Sequence, residues 1–324
     1  MAPSGYAKKM PVEISPSSAG AESNYAVKVT LVKGSGSNAV GIGYLDNQCR
    51  NWPNDIRWAD NSGNELSFYR EESDDTDGTW WIKVSSIPTG SNTTIWVYFG
   101  KSGDSDASSG PNTFIHFDNF ETGDLSRWDA VGTAWSASTT QKAEGSYSAK
   151  GVYSSKSVSR SLTKNISPGR SVLYHMDVYP DNIVWAFFAV YPTTVGGKQV
   201  YALVLKDGKF QYYIGSYSNL PTDTSYKLDA WRSADVAIDN ANQLFRWWIN
   251  GASKGTAALK DSAGNAIATD DYVATCNLTS DANSGGIAYV DRVWVRPYVY
   301  PEPSVETPGE MQDVGNPFYA YAQQ

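Results

Sequence analysis

The sequence is poor in cysteine, histidine and positive charge, and each shortage removes a class of function. Its two cysteines, Cys49 and Cys276, make no CxxC spacing, and with only His116 and His175 there is no Cys/His metal set. Free thiols are the plain reading. A Cys49–Cys276 bridge is the alternative: it would close a very long loop, worth roughly 5 kcal/mol in chain-entropy terms, and spacing alone does not show that the sulfurs meet. Lys and Arg number 26 against 34 Asp and Glu, a formal net charge of −8, and no basic run exceeds Lys8-Lys9. Nucleic acid and anionic membranes both demand a basic footprint. The expected partners are therefore a neutral polymer, a cation or another protein. No apolar run nears the ~20 residues that span a bilayer, so no membrane insertion is expected. Met1 to Lys9 also lacks the apolar core of a signal peptide. A trimmed leader, or a leaderless route such as release inside a virion, accounts for that.

What is abundant points to strands. Aromatic residues make up 13% of the chain, with 12 Trp and 21 Tyr, and Ser, Thr, Gly and Asn separate short apolar runs. At 324 residues the chain exceeds the ~250 at which a single core stops growing, so two domains are expected. In the first half Val27, Val29 and Leu31 alternate with Ala26, Lys28 and Thr30; Trp80, Ile82 and Val84 with Trp81, Lys83 and Ser85; Ile95, Val97 and Phe99 with Trp96 and Tyr98. Turn clusters at 34–38, 61–64 and 89–92 punctuate these runs. Residues 1–100 read as a small β-sandwich, and the polar stretch GKSGDSDASSGP puts a linker at 101–112. The same grammar continues over 113–303 with seven or more strands, and Asn250-Gly251 between two extended runs marks a tight hairpin. The tail, 304–324, begins as a polar linker with reach. It ends in FYAYAQQ, where Phe318 alternates with Tyr319 and Tyr321 in a short pattern suited to adding a strand to another copy.

The segments GYAKKMPVEIS, NDIRWADNSGNELSFYREE, TWWIKVSSIPTGSNTTIWVYFG and DASSGPNTFIHFDNFE occur in order over roughly residues 5–120. Together they resemble the family catalogued as domain of unknown function 2341, although Gly5 stands where an aromatic residue often precedes the first Tyr. From FDNFETGDLSRW through GSYSAKG to IAYVDRVWVRPYVYPEP, about residues 113–300 resemble concanavalin A-like jelly-roll domains. The resemblance implies an all-β chain of two β-sandwich domains, the second a concanavalin A-like jelly roll, in an extracellular or cell-surface setting. It implies fold and location more than activity. Carbohydrate-binding jelly rolls often use calcium to tie the opening loop to the last strand. The matching positions here are Asp118, Glu121, the carbonyls near Gly145-Ser146, and Asp291; an acid inside an apolar final strand is costly without a partner.

For an enzyme the residues are thin. No ExDxxE-like carboxylate run appears, and apart from Glu302 the glutamates of the second domain are Glu121 and Glu144. KFQYYIGSY at 209–217 has a superficial likeness to a lyase strand, but no Gln-x-His accompanies it, and His175 reads as a strand residue. The acidic run Ser73–Gly78 has the wrong first and twelfth positions for an EF-hand and reads as a solvated turn. The sequons at Asn92, Asn165 and Asn277 are expected by chance in so Asn/Ser/Thr-rich a chain. The adjacent pairs Trp247-Trp248 and Tyr212-Tyr213 must each split between two faces of a sheet. That leaves Trp185, Tyr213, Tyr217 and Trp248 as candidate sugar-stacking residues. The resulting expectation is a non-catalytic glycan-binding or adhesive protein. The alternative is a structural subunit of a filament, sheath or virion assembled through Phe318, Tyr319 and Tyr321, and a polysaccharide hydrolase or lyase comes third.

Overall fold

A computed structural model describes residues 2–153, 161–166, 170–181, 185–192, 200–206, 208–214, 216–222, 225–260, 272–278 and 286–315; for 153, 185–192, 200–201 and 272–278 it describes the backbone alone. The chain is nearly all β and divides into two compact units. The first comprises 1–114 together with 300–324, the second 115–299.

In the first unit, strand Lys8–Ser15 lies between Thr93–Phe99, which continues to Arg57–Asp60, and the short pieces Ser304–Val305 and Gln312–Asp313. A second sheet runs Ile42–Tyr44, Glu22–Val32, Asp77–Ile87, Phe68–Ser73. The predicted alternation supplies the core: Val29, Leu31, Trp80, Ile82, Ile95, Val97 and Phe99 are all fully buried. The terminal methyl of Met10 from the first sheet reaches Gly43 of the second and would have to shift for a Cβ there. The other face of Asp77–Ile87 is covered too. Trp81, which alternates with the core residues Trp80 and Ile82, is itself buried with its ring 6.1 Å from that of Phe114.

Two boundary expectations are corrected. Residues 101–112 are strapped to the first unit rather than spanning as a free linker. The Asp104 carboxylate pairs with Arg57 at 3.0 Å and accepts from the Tyr6 hydroxyl, the Ser108 hydroxyl accepts from the Arg70 amide, and the Ser109 amide donates to the Phe68 carbonyl. The polar start of the tail is likewise not a linker with reach. Ser304 and Val305 pair with Ser15 and Ile14, Gln312 and Asp313 pair with Lys9 and Lys8, and amides of Glu306, Gly309 and Val314 donate to Glu13, Pro11 and Ala7. An edge strand with unpaired backbone groups takes up a polar segment readily, because main-chain hydrogen bonds need no particular side chain. Phe318, Tyr319 and Tyr321 lie outside the described residues.

The second unit is an antiparallel sandwich. One sheet has eight strands: Trp135–Ser138, Ser148–Tyr153, Gly286–Pro297, Val172–Pro180, Arg232–Asp239, Leu244–Ile249 and Ala252–Ala258 in order, with His116–Asp118 beside Gly286–Pro297. The other has seven: Tyr217–Asn219, Lys209–Ile214, Val200–Lys206, Trp185–Pro192, Tyr272–Leu278, Ser161–Ile166 and Ala130–Val131. Between them lies a core that includes Val172, Tyr174, Met176, Leu203, Leu205, Phe210, Val236, Phe245, Trp247 and Val295. Asn250 and Gly251 both take positive φ, 48° and 74°, and Ile249 pairs with Ala252, as a two-residue hairpin with that turn chemistry requires.

Candidate functional site

Strand Lys209–Ile214 sets out a polar and aromatic face by simple alternation. Phe210 is in the core with Tyr212 and Ile214 packed against it, so Lys209, Gln211 and Tyr213 face away from it. The neighbouring strand Tyr217–Asn219 brings Tyr217 opposite Tyr213 and Asn219 opposite Gln211. The two tyrosine rings are 4.8 Å apart between centroids, and the Lys206 ammonium lies 4.8 Å from the Tyr217 ring, a cation–π contact. Gln211 donates from Nε2 to Asn219 Oδ1 at 3.1 Å, whereas its Oε1, in a side chain 9% exposed, has no hydrogen-bond partner among the described residues. A buried carbonyl left unpaired costs about 1–3 kcal/mol. Flat rings beside an amide and a cation form a surface suited to sugars: rings for C–H faces, polar atoms for hydroxyls.

The four expected stacking aromatics do not form one patch. Tyr213 and Tyr217 meet. Trp248 stands on the outer face of the opposite sheet, its ring 6.4 Å from Tyr298, because its neighbour Trp247 takes the core position. Trp185 sits opposite Lys206 in register; its side chain lies outside the described residues.

The carboxylates expected to bind calcium accept N–H groups of the loops around them. Asp118 takes the Phe120 amide at 2.9 Å and the Trp128 indole N–H at 2.8 Å. Glu121 takes the amides of Ser146 and Tyr147, both at 2.8 Å. Asp291 takes those of Ala143 at 2.9 Å, Glu144 at 3.2 Å and Arg292 at 2.8 Å. Burial pushes Asp118 up to about 6 and Asp291 up to about 7, the latter against its backbone donors and with help from Asp177. A calcium ion needs six to eight oxygens converging on one point. Among the described residues no group of three or more His, Cys, Asp or Glu is arranged to hold a metal, so a calcium ion here would draw most of its oxygens from backbone carbonyls such as those near Gly145-Ser146. Melting curves recorded with calcium and with chelator test the ion: a midpoint raised by several degrees in calcium supports it, and coincident curves exclude it.

On the outer face of the eight-stranded sheet the sequence hides a network. His175 stacks on Trp294 at 4.4 Å, its Nδ1 lies 2.8 Å from Asp235 Oδ1, and its Nε2 is 4.0 Å from Asp177. Arg292, at a bulge with φ 43°, donates from Nε to Asp177. His175 is buried, so the network stabilises the bulge rather than presenting an accessible base. Cys49 is free, its thiol held above its ordinary value by burial and by Asp55.

Residues 52–137 match the family described as domain of unknown function (DUF2341). No curated protein matches the chain. Among solved structures, the chain is similar to a cellulose-induced protein, Cip1 (17% identity, TM-score 0.42, 56% of this chain and 97% of that one). It is also similar to an endo-β-1,4-glucuronan lyase from the fungus Trichoderma reesei (14%, 0.40, 57% and 96%). A third is the carbohydrate esterase vb_24B_21 from the Shiga toxin-encoding bacteriophage phi24B (16%, 0.42, 58% and 99%). Likeness at this level assigns neither ligand nor activity.

Sequence reasoning found Tyr213 and Tyr217 but missed Gln211, Asn219 and Lys206. The signal for Gln211 was present: a polar residue inside KFQYYI, in the same alternation as Tyr213. Asn219 and Lys206 come from other strands, and only the pairing register brings them in.

Proposed function

We propose that the second unit is a non-catalytic glycan-binding module of an extracellular or surface protein, with its ligand on the outer face of the seven-stranded sheet. The observation that carries this reading is the Tyr213–Tyr217 ring pair beside the Gln211–Asn219 amide pair. The side chains named on this face are phenols, amides and ammonium groups; His175, Asp177 and Asp291 belong to the other sheet, which supports binding over acid–base chemistry.

A glycan array followed by calorimetry on the hits tests it. Tyr213→Ala and Tyr217→Ala are each expected to weaken binding about tenfold, for roughly 1–2 kcal/mol of lost aromatic contact. Trp248→Ala, on the far sheet, leaves affinity unchanged. Loss with Trp248→Ala and none with the tyrosine variants would move the site, and appearance of new reducing ends or unsaturated uronic products would replace binding by catalysis.

A further inference from the structure

The outer face of the eight-stranded sheet carries a row of rings that the linear sequence scatters. Val178 and Val290 are in the core, so Tyr179 and Tyr289 face away from it, and the two pair directly in register. Lys150 pairs with Tyr289 from the next strand and holds its ammonium 5.7 Å from that ring. On the other side Trp231, just before strand Arg232–Asp239, sets its ring 5.5 Å from Tyr179, and Tyr289 meets Tyr179 edge to face at 5.9 Å. Tyr289 is buried, whereas Tyr179 and Trp231 are half-buried and keep ring surface open. The Asp229 amide donates to the Pro180 carbonyl at 2.9 Å, which brings the exposed Asp229 carboxyl within hydrogen-bond reach of that of Asp181. Burial and the charge of Asp229 raise Asp181 above its ordinary value. Both signs of charge meet at this sheet end. Asp181 and Asp229 stand against Lys150 and Arg232, whose guanidinium donates to the Trp231 carbonyl at 2.7 Å, with the exposed Lys227 two residues before Asp229. In the next row Asp177 is bonded to Arg292.

We propose that this row is a second sugar site, on the sheet opposite the first: an uncharged glycan lies on the Trp231 and Tyr179 rings, its hydroxyls donating to the Asp181 and Asp229 carboxyls and accepting from Lys150. The charges select that chemistry. An anion meets the two carboxyls and a cation meets Lys150 and Arg232, so neither sign is favoured. A wholly apolar partner would strip water from these charged groups and return no hydrogen bond. A polyhydroxyl ring does neither: its C–H face covers the aromatic rings, and its hydroxyls serve carboxyls and ammonium alike, as donor to one and acceptor to the other. Tyr289, edge-on to Tyr179 beneath the Lys150 ammonium, fixes the Tyr179 ring in place before any ligand arrives. Trp248 is not part of the site. It pairs with Asp235 and so stands two rows away, beside His175 rather than Tyr179.

The test uses the full chain carrying Tyr213→Ala and Tyr217→Ala, which silences the first face, so the two readings fail separately. Titration calorimetry with cellohexaose, mannohexaose and xylohexaose supplies the uncharged probes; a galacturonate hexamer and a lysine hexamer supply the two charged ones. At least one uncharged probe is expected to bind, with an affinity that hardly changes between about 50 mM and about 300 mM salt, because no net charge is exchanged. Adding Trp231→Ala should weaken that binding about tenfold, the size of one lost aromatic contact. Asp229→Asn should weaken it several-fold at an unchanged melting midpoint, since Asp229 is exposed and Asn accepts its φ of 55°. That variant separates a lost contact from a lost fold. Affinity for the uncharged probe that neither substitution alters overturns the second site. Tighter binding of the galacturonate or the lysine hexamer than of every uncharged probe replaces the sugar by a charged partner and also overturns it. No binding of any probe to the Tyr213→Ala, Tyr217→Ala chain overturns it as well, and leaves the first site standing wherever the chain with both tyrosines binds.

Discussion

Replacing Trp247 with alanine is expected to lower the stability of the second unit by about 3–5 kcal/mol, the range for truncating a buried large aromatic. Trp247 is 0% exposed, stacks at 5.1 Å on Tyr212 and at 5.8 Å on Phe245, and donates its indole N–H to the Ala202 carbonyl at 2.6 Å. It therefore joins the two sheets by both packing and a hydrogen bond. Trp247→Phe separates these contributions: most of the packing survives, while the Ala202 carbonyl is left unpaired at about 1–3 kcal/mol. Denaturant unfolding, with hydrogen exchange of the 202–214 strands as the local readout, gives both numbers. The effect reaches the binding face as well. Tyr212 lies between Gln211 and Tyr213, so removing its support should weaken glycan binding even where the unit remains folded. A loss below 1 kcal/mol for Trp247→Ala would show that this side chain does not hold the sheets together.

Stability of the same unit is expected to decline as pH rises from 5 to 8. Asp118 and Asp291 have folded-state pKa values pushed up by burial to about 6 and about 7, above the ordinary carboxylate value. Between about pH 4 and 7 the folded chain therefore holds protons that the unfolded chain has released. That stabilisation is complete below pH 4 and is lost as pH climbs through 6 and 7. His116 opposes it. Burial, with Lys164 nearby, lowers His116 to about 4, so its contribution is present above its ordinary value of 6.5 and disappears as pH falls. At about 1.4 kcal/mol per tenfold change in proton affinity, the two carboxyls together outweigh the imidazole. The net decline from pH 5 to 8 is roughly 2 kcal/mol, and His116→Phe should steepen it to roughly 4 kcal/mol. Asp60, Asp74, Asp124 and Asp129, all lowered by hydrogen bonds to nearby groups, act at more acid pH, while Asp181, raised by burial and by Asp229, acts in the same direction as Asp118 and Asp291. Chemical denaturation of wild type and His116→Phe across pH 5–8 is the measurement; a rising curve in the variant would refute the burial-driven shifts of Asp118 and Asp291.

Half of the candidate site is legible in the sequence. Adjacent aromatics in a strand must part, so Tyr212-Tyr213 and Trp247-Trp248 each have to yield one core and one outward residue, and they do. Which of the outward rings share a sheet is not legible. Tyr213 and Trp248 stand in equivalent local patterns, yet end on opposite layers of the sandwich. The carboxylates show a different limit. Sequence places Asp118, Glu121 and Asp291 where loops meet the final strand, and they do tie the loops down. An acid in that position is served by amide donors, by a cation or by both, and sequence does not separate these.

What the sequence determined by itself was what depends on neighbours along the chain: strand alternation, the Asn250-Gly251 hairpin, the all-β class and the presence of two cores. These follow from backbone sterics and the two-residue period of a strand, which act over a few residues. Only the tertiary structure decided that the chain leaves its first unit at Phe114 and returns to it at Tyr300, and that the polar segment after Tyr300 lines the edge of Lys8–Ser15. It also brought the Lys206 ammonium onto the ring of Tyr217, two strands away in the sheet. The physical reason is the same in each case. A polar edge segment or a lysine has no local preference that names its partner, and its place is set by which distant strands bury their apolar faces together.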